Sequence, residues 1–420
     1  MERRDLRRTF KLIPHEEALR RLMRVVPVKP IGYEEVALER STGRVLAEDI
    51  VSKVNIPDQR RAVFDGYAIR SADIQNASLE TPVTLKIVGK TFSGGLRCEM
   101  ASSGEAVYTA CGATVPDNAD AVIKVENTRL LEDRIQILSP VKLNQNITRI
   151  GEDVKKGGLI LKKGYPLRPQ DVGLLAGIGM SSVKVFKKPR VGIISVGDEL
   201  VESGRKRKIA NNYALIASAL VSELGGSPKL LGVAPDDINQ IKGIISKAVR
   251  EMDIVATIAG CSVGVKDLVP DAIEALGGKI VFHGVKLSPG SPMGVGTVKG
   301  KRVIMLPGYI ASAYAAFYLL LAPIIAMLSG LAVKSSLPTI KAKITHDVKA
   351  KPVATFLRVR LKRINGEFLA EPVRGGSSHL STLVNSNGHT IVPAGEGLNE
   401  GEAVDVILYG RHEFPRLTPY

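Results

Sequence analysis

Between Arg190 and Gly260 the chain alternates between two periods, and this limits the fold more than any other feature. Arg190-Val191-Gly192-Ile193-Ile194-Ser195-Val196-Gly197 is a short continuous apolar run closed by glycine, as expected of a strand covered on both faces. Helical spacing from Tyr213 to Leu224 follows, then Leu230-Leu231-Gly232-Val233, a second helical segment from Ile238 to Arg250, and Asp253-Ile254-Val255-Ala256-Thr257-Ile258-Ala259-Gly260. Strand, helix, strand, helix, strand predicts an open, mostly parallel α/β sheet. Ligands on such sheets bind beyond the carboxyl ends of the strands. Gly197-Asp198-Glu199 and Gly260-Cys261-Ser262-Val263-Gly264 stand at two such ends.

The flanking sequence has a different rhythm. Residues 14–26 carry helical spacing after a proline start. From about Pro57 to Pro140, short β-like runs (Val83 to Val88, Ala106 to Thr109, Ala121 to Val125, Arg134 to Leu138) are separated by Gly, Asn, Asp and Pro, which predicts a small β domain. Thr84 to Thr91 nearly spells a phosphate-binding loop, but Thr stands where the first Gly is required, so it reads as a strand. After Lys334 short strands return (Thr339 to Ile344, Phe356 to Leu361, Ala403 to Leu408), predicting a second β domain. No internal repeat or low-complexity tract interrupts the chain.

The 420 residues have room for several domains, and 45% hydrophobic against 24% charged residues exclude a disordered chain. Cys98, Cys111 and Cys261 lack C-x-x-C spacing, which excludes a disulfide framework and a Cys-based zinc cluster and fits a reducing, cytoplasmic setting. The charged start is followed by no apolar run, so no signal peptide is expected. No charge occurs from Val303 to Val333, long enough for a membrane span, but Pro307-Gly308, Pro323 and many small residues favour a buried core or interface helix. The formal charge of +16 attracts anions of any kind. Basic clusters at Arg3 to Lys11, Lys184 to Arg190 and Arg205 to Lys208 lack interleaved aromatics, so solvated surface is expected rather than nucleic-acid binding.

Chemistry concentrates at the strand ends. Glu199 and Asp267, if their turns share one sheet edge, can converge on a Mg²⁺, which takes oxygen ligands and substrate phosphate. Gly-Cys-Ser-Val-Gly can offer backbone N–H groups to phosphate. The same residues match the G-x-S-x-G elbow of serine hydrolases, with Ser262 as nucleophile and His283, His346, His379 or His389 as downstream bases. Phe64-Asp65-Gly66-Tyr67-Ala68 and Arg149-Ile150-Gly151-Glu152-Asp153-Val154 read as acid-bearing turns. Pro289-Gly290-Ser291-Pro292 and Leu306-Pro307-Gly308 read as rigid loops after strands.

These pieces, in this order, resemble the MoeA family, the molybdopterin molybdenumtransferases, whose eukaryotic relatives include the C-terminal part of gephyrin. The likeness spans essentially the whole chain. It rests on D-G-Y-A at 65–68, V-P-D-N-A-D-A-V at 115–122, R-I-G-E-D-V at 149–154, S-V-G-D-E-L at 195–200, Asn211-Asn212-Tyr213, and Asp236-Asp237. It continues with A-G-C-S-V-G-V-K-D at 259–267, S-P-G-S-P at 288–292, L-P-G at 306–308, F-L-R at 356–358 and S-H-L-S at 378–381.

The resemblance implies four parts: an elongated discontinuous domain (1–52 and 150–185), an inserted β domain (53–149), a molybdopterin-binding α/β domain (186–333) and a C-terminal β barrel (334–420). It implies a cytoplasmic homodimer with each active site between the α/β domain of one subunit and the inserted and elongated domains of the other. Other molybdenum-cofactor biosynthesis proteins are candidate partners. The implied reaction is Mg²⁺-dependent: molybdate or tungstate attacks adenylylated molybdopterin, AMP leaves, and the metal is placed on the dithiolene. By motif match Glu199 and Asp267 hold Mg²⁺, while Asp65, Asp153 and Asp236 promote phosphoanhydride cleavage. Ser262, Val263 and Gly264 bind phosphate or pterin, Pro289, Gly290, Pro307 and Gly308 wall the pocket, and Arg358 with Ser378 or Ser381 receives the oxyanion. The chain departs from the family pattern at Ala62, Phe64, Ala259, Ser291 (a Lys in Pro-Gly-Lys-Pro) and Tyr309-Ile310 (Asn-Pro in the family). A divergent, catalytically weak pterin-binding paralogue or scaffold is the alternative these departures raise.

Overall fold

Alternate residues of the strand Arg190–Val196 serve two different cores. Val191 and Ile193 pack on one face of a six-stranded sheet and Ile194 and Val196 on the other, which is why the run is apolar without a break. This computed structural model describes residues 11–25, 29–94, 102–201, 209–331 and 337–409. The chain forms two compact units, residues 1–47, 164–168 and 182–420, and residues 48–163 and 169–181.

In the first unit the sheet order is Ser227–Ala234, Arg190–Val196, Ile254–Ile258, Lys301–Leu306, Gly294–Val298, Lys279–His283. The first four strands are mutually parallel, Gly294–Val298 runs antiparallel to both its neighbours, and Lys279–His283 therefore points the same way as the first four. The helices Asn212–Glu223 and Ile238–Glu251 make the two crossovers. Because Arg190–Val196 connects outward to Ser227–Ala234 while Ile254–Ile258 lies on its other side, the strand order reverses there. Such a switch point opens a crevice at the carboxyl edge.

The uncharged stretch forms Ile310–Ala316, a π turn at Phe317–Leu321, and Ala322–Leu328. Pro323 lacks the N–H that a regular helix would use, and the wider turn accommodates it. By length and composition Ile310–Leu328 could cross a membrane. Instead Phe317, Leu320, Leu321, Ile324 and Ile325 are 0–1% exposed, buried in the core of the α/β sheet.

Beyond it, Thr339–Ile344, Ala354–Ile364, Glu367–Pro372, Gly388–Val392 and Ala403–Leu408 close into a five-stranded barrel, because Ala354–Ile364 pairs with both Glu367–Pro372 and Gly388–Val392. The fold is therefore a mostly parallel α/β sheet combined with β domains.

The second unit contains a six-stranded sheet including Gly66–Ile69, Val83–Thr91 and Ala121–Lys124. The stretch that nearly spells a phosphate-binding loop is thus a strand. A Cβ at Gly66 would strike the Ile123 carbonyl oxygen, which explains glycine after Asp65. Of the basic clusters, Lys184 to Arg190 is described, with Lys184, Lys187, Lys188 and Arg190 exposed; residues 3–10 and Arg205 to Lys208 lie outside the described residues, as does Cys98.

Candidate active site

Three strand ends converge on an open cleft of about 630 Å³ at the switch point. Arg190–Val196 delivers Glu199, Ile254–Ile258 delivers Ala259, Gly260, Ser262 and Asp267, and Lys301–Leu306 delivers Pro307, Gly308 and Tyr309. Ser378 also lines it, as do Asn211, Asn212 and Tyr213. Ser195 Oγ donates to Asn211 Oδ1 at 2.7 Å, fixing the asparagine at the start of the crossover helix.

The glycine-rich turn is held by its own acid, since Gly264 N–H donates to Asp267 Oδ2 at 2.8 Å. Ala259 and Gly260 both adopt φ +68°. A Cβ on Gly260 would come within 2.9 Å of Val196 and Val269 side-chain carbons, so this glycine is required by packing as well as by backbone. Val263 and Val265 are exposed on the turn.

Asp236 sits beside the cleft. Its N–H donates to Asp198 Oδ1 at 3.1 Å, and burial, reinforced by the carboxylates of Asp198 and Glu199, holds its carboxyl above the usual range. Lys266 Nζ reaches Asp198 Oδ2 at 3.0 Å and Asp236 Oδ2 at 3.6 Å, and the Asp198 contact raises its pKa. Asp237 caps Ile238–Glu251 by accepting from Gln240 N–H at 2.9 Å.

A second cavity of about 820 Å³ shares Pro292 and Ser312 with the cleft and extends to the barrel. Pro289, Gly290 and Ser291 form one wall, and Lys349, Lys351, Arg358 and Arg374 stand around it with a single acid, Asp347. Arg358 is 6% exposed. Its Nη2 donates to the Gly375 carbonyl at 3.3 Å, while Nε and Nη1 are buried without a partner. Burial lowers its pKa. A buried guanidinium with unmet donors is costly unless an anion completes it. Ser291 turns inward, its Oγ donating to the Leu287 carbonyl at 2.8 Å.

The remaining expected residues are not among those lining the two cavities. Ser381 begins the short helix Ser381–Val384, is exposed, and lines neither cavity. In the second unit, Asp65 is exposed and accepts from Cys111 N–H at 2.9 Å, and Asp153 is exposed with its N–H on the Ile56 carbonyl. Sequence reasoning missed Lys266, Lys349, Lys351 and Arg374; nothing in the local sequence separates them from surface lysines and arginines.

The hydrolase elbow is not formed. After Gly264 the chain continues in turn, and the next helix starts only at Val269. The downstream histidines have other partners: His283 Nε2 meets the carbonyl of Cys261, beside Ser262, at 2.6 Å, His346 bonds Thr345, and His379 accepts from the Gly376 N–H. His389 is buried among Phe356, Tyr318 and Tyr409. Cys261 is buried, which pushes its thiol well above the usual range and removes it as a nucleophile.

A metal would find two cleft carboxylates, Glu199 and Asp267. Among the described residues no group of three or more His, Cys, Asp or Glu side chains is placed to hold a metal. That donor set does not make a protein cage, but it fits Mg²⁺, which commonly takes one or two carboxylates and completes its shell with water and substrate phosphate.

Family models match in three consecutive blocks: the MoeA N-terminal region (domain I and II) over residues 13–179, a probable molybdopterin binding domain over 192–327, and the MoeA C-terminal region (domain IV) over 341–409. The chain is 32% identical over 402 residues to a molybdopterin molybdenumtransferase of Staphylococcus aureus (strain COL), covering 94% of this chain and 95% of that protein. It is 33% identical to one of Bacillus subtilis (strain 168), covering 94% of each. The crystal structure of a molybdopterin biosynthesis moeA protein from Pyrococcus horikoshii OT3 superposes with TM-score 0.82 at 34% identity, covering 95% of this chain and all of that one.

Proposed function

The chain belongs to the MoeA family, and from that premise we propose that it is a molybdopterin molybdenumtransferase of molybdenum cofactor biosynthesis, transferring molybdate or tungstate onto adenylylated molybdopterin with release of AMP. The observation that carries this reading is the pair of adjoining cavities with opposite chemistry. One presents carboxylates and a glycine-rich turn, and the other presents Arg358 with two buried, unmet donors beside Lys349, Lys351 and Arg374.

In this division of labour, Ser262, Val263 and Gly264 receive phosphate, and Tyr213, Pro307, Gly308 and Tyr309 face the pterin. Glu199 and Asp267 hold Mg²⁺, which when bound neutralises the phosphoanhydride. Asp236, flanked by Asp198, acts at the edge where the anhydride is broken. Pro289 and Gly290 shape the second cavity, where Arg358 orients the oxyanion and Ser378 extends from the cleft side. In a homodimer, the arrangement the family resemblance implies, Asp65 and Asp153 act from the second copy.

The weak-paralogue alternative rests on the departures at Ser291 and Tyr309-Ile310, and the cavity beside Ser291 bears on the first of them. Lys349 and Lys351 bring positive charge to the same cavity from the barrel, which favours a working anion site. The protein with adenylylated molybdopterin, Mg²⁺ and molybdate or tungstate is expected to release AMP. Absence of AMP with both oxyanions contradicts the reading.

A further inference from the structure

Lys266 has no task in the reading above, yet its position is specific. Its ammonium joins Asp198 and Asp236 at 3.0 and 3.6 Å, and Asp198 in turn holds the Asp236 N–H. One charge therefore ties the turn after Arg190–Val196 and the turn before Ile238–Glu251 to the glycine-rich turn. The sequence neighbours of this knot are Glu199 and Asp267, on whose assignment as metal-holding residues this inference rests.

As a stabilising contact the knot is slight, because the Lys266 and Asp198 side chains are 70% and 52% exposed, and exposed ion pairs contribute little. As a source of field it is not slight. An ammonium on the residue next to Asp267, paired with the Asp198 that adjoins Glu199, adds positive charge beside the carboxylates that would hold a divalent ion and so opposes that ion. Lysine also sits on a flexible stem and can turn to a phosphate without rebuilding the turn.

We propose that Lys266 is a tethered countercation of the Asp198–Asp236 pair that weakens divalent-cation binding at Glu199 and Asp267 in the free protein and couples metal entry to the arrival of a phosphate. Mn²⁺ is the probe, its free fraction read by electron paramagnetic resonance, with and without pyrophosphate, alongside melting temperature. Lys266→Met is expected to bind Mn²⁺ about tenfold more tightly than the wild type without pyrophosphate, the size of effect one nearby charge can exert. Lys266→Arg is expected to match the wild type, and pyrophosphate to tighten wild-type binding more than that of Lys266→Met.

Equal Mn²⁺ affinity in wild type and Lys266→Met overturns the proposal, as does a lower melting temperature with unchanged affinity, which marks a purely structural contact. Glu199→Gln and Asp267→Asn separate the two levels. If they abolish Mn²⁺ binding and Lys266→Met changes nothing, the metal assignment stands and the role of Lys266 falls. If they leave binding intact, the metal assignment itself falls. Mn²⁺ that binds neither wild type nor Lys266→Met overturns both.

Discussion

Gly264 donates its backbone N–H to Asp267 Oδ2 at 2.8 Å, so the carboxylate offered to the cleft also closes the turn that offers N–H groups to phosphate. Asparagine keeps an oxygen that can accept this bond but carries no charge. Asp267→Asn is therefore expected to hold the melting temperature within about 2 °C, while AMP release falls on the order of 100-fold because one of the two carboxylates proposed to hold the metal that neutralises the phosphoanhydride is gone. A large loss of stability with turnover retained would contradict the dual role.

Arg358 separates stability from activity in the other direction. Its guanidinium is buried with two unmet donors, so an apolar residue of similar length removes a desolvation cost. Arg358→Met is expected to melt at or above the wild-type temperature while the molybdate concentration for half-maximal AMP release rises at least about tenfold, equivalent to ~1.4 kcal/mol of lost anion binding. Thermal melts and a molybdate titration decide it.

Ala259 occupies φ +68°, where the Cβ of an L-residue is crowded. Glycine adopts this conformation without that penalty but gives up entropy in the unfolded chain. The crowding term is the larger at ~1–2 kcal/mol against ~0.5–1 kcal/mol, so Ala259→Gly is expected to stabilise by about 0.5–1 kcal/mol in denaturant melts. Destabilisation would show that the alanine methyl, which a Cβ at Gly308 would approach at 3.1 Å, packs more productively than the backbone suffers.

His389 gives the fold an acid-sensitive element. Burial against Phe356, Tyr318 and Tyr409 lowers its pKa to about 3. The unfolded chain binds this proton near pH 6.5 and the folded chain does not, so the stabilisation is fully present above about pH 6.5 and is lost as pH falls toward 3. At ~1.4 kcal/mol per unit, the loss reaches about 4–5 kcal/mol at the acid end. His389→Phe is expected to flatten the stability–pH curve between pH 6.5 and 4; an unchanged slope would assign the acid sensitivity elsewhere.

Much of this was legible in local sequence. The helix expected from Tyr213 to Leu224 is Asn212–Glu223, and the strands expected at Thr339 to Ile344 and Ala403 to Leu408 form at those bounds. These segments declare themselves because burial on one or two faces imposes a period on their own residues. The placement of Glu199, Ser262 and Asp267 at one sheet edge was also readable, since parallel strands put their carboxyl ends together.

What was not legible depends on partners remote in sequence. Lys266 meets Asp198 across 68 positions, and a lone lysine before an aspartate carries no trace of that. Lys349 and Lys351 acquire meaning only because the barrel closes beside the Pro289-Gly290-Ser291-Pro292 loop. The unmet donors of Arg358 follow from burial on a strand paired on both sides, which its own neighbours do not specify.

If the adjoining cavities divide the reaction, oxyanion binds on the Arg358 side and phosphate on the Glu199 and Asp267 side. Crystals soaked in tungstate, with the tungsten located by its anomalous scattering, test this directly. A tungsten peak is expected within hydrogen-bonding reach of the Arg358 guanidinium, in the cavity that Lys349 and Lys351 line, and no such peak in Arg358→Met crystals. A tungsten bound instead in the cleft at Ser262 and Asp267, or unchanged in Arg358→Met, would contradict it.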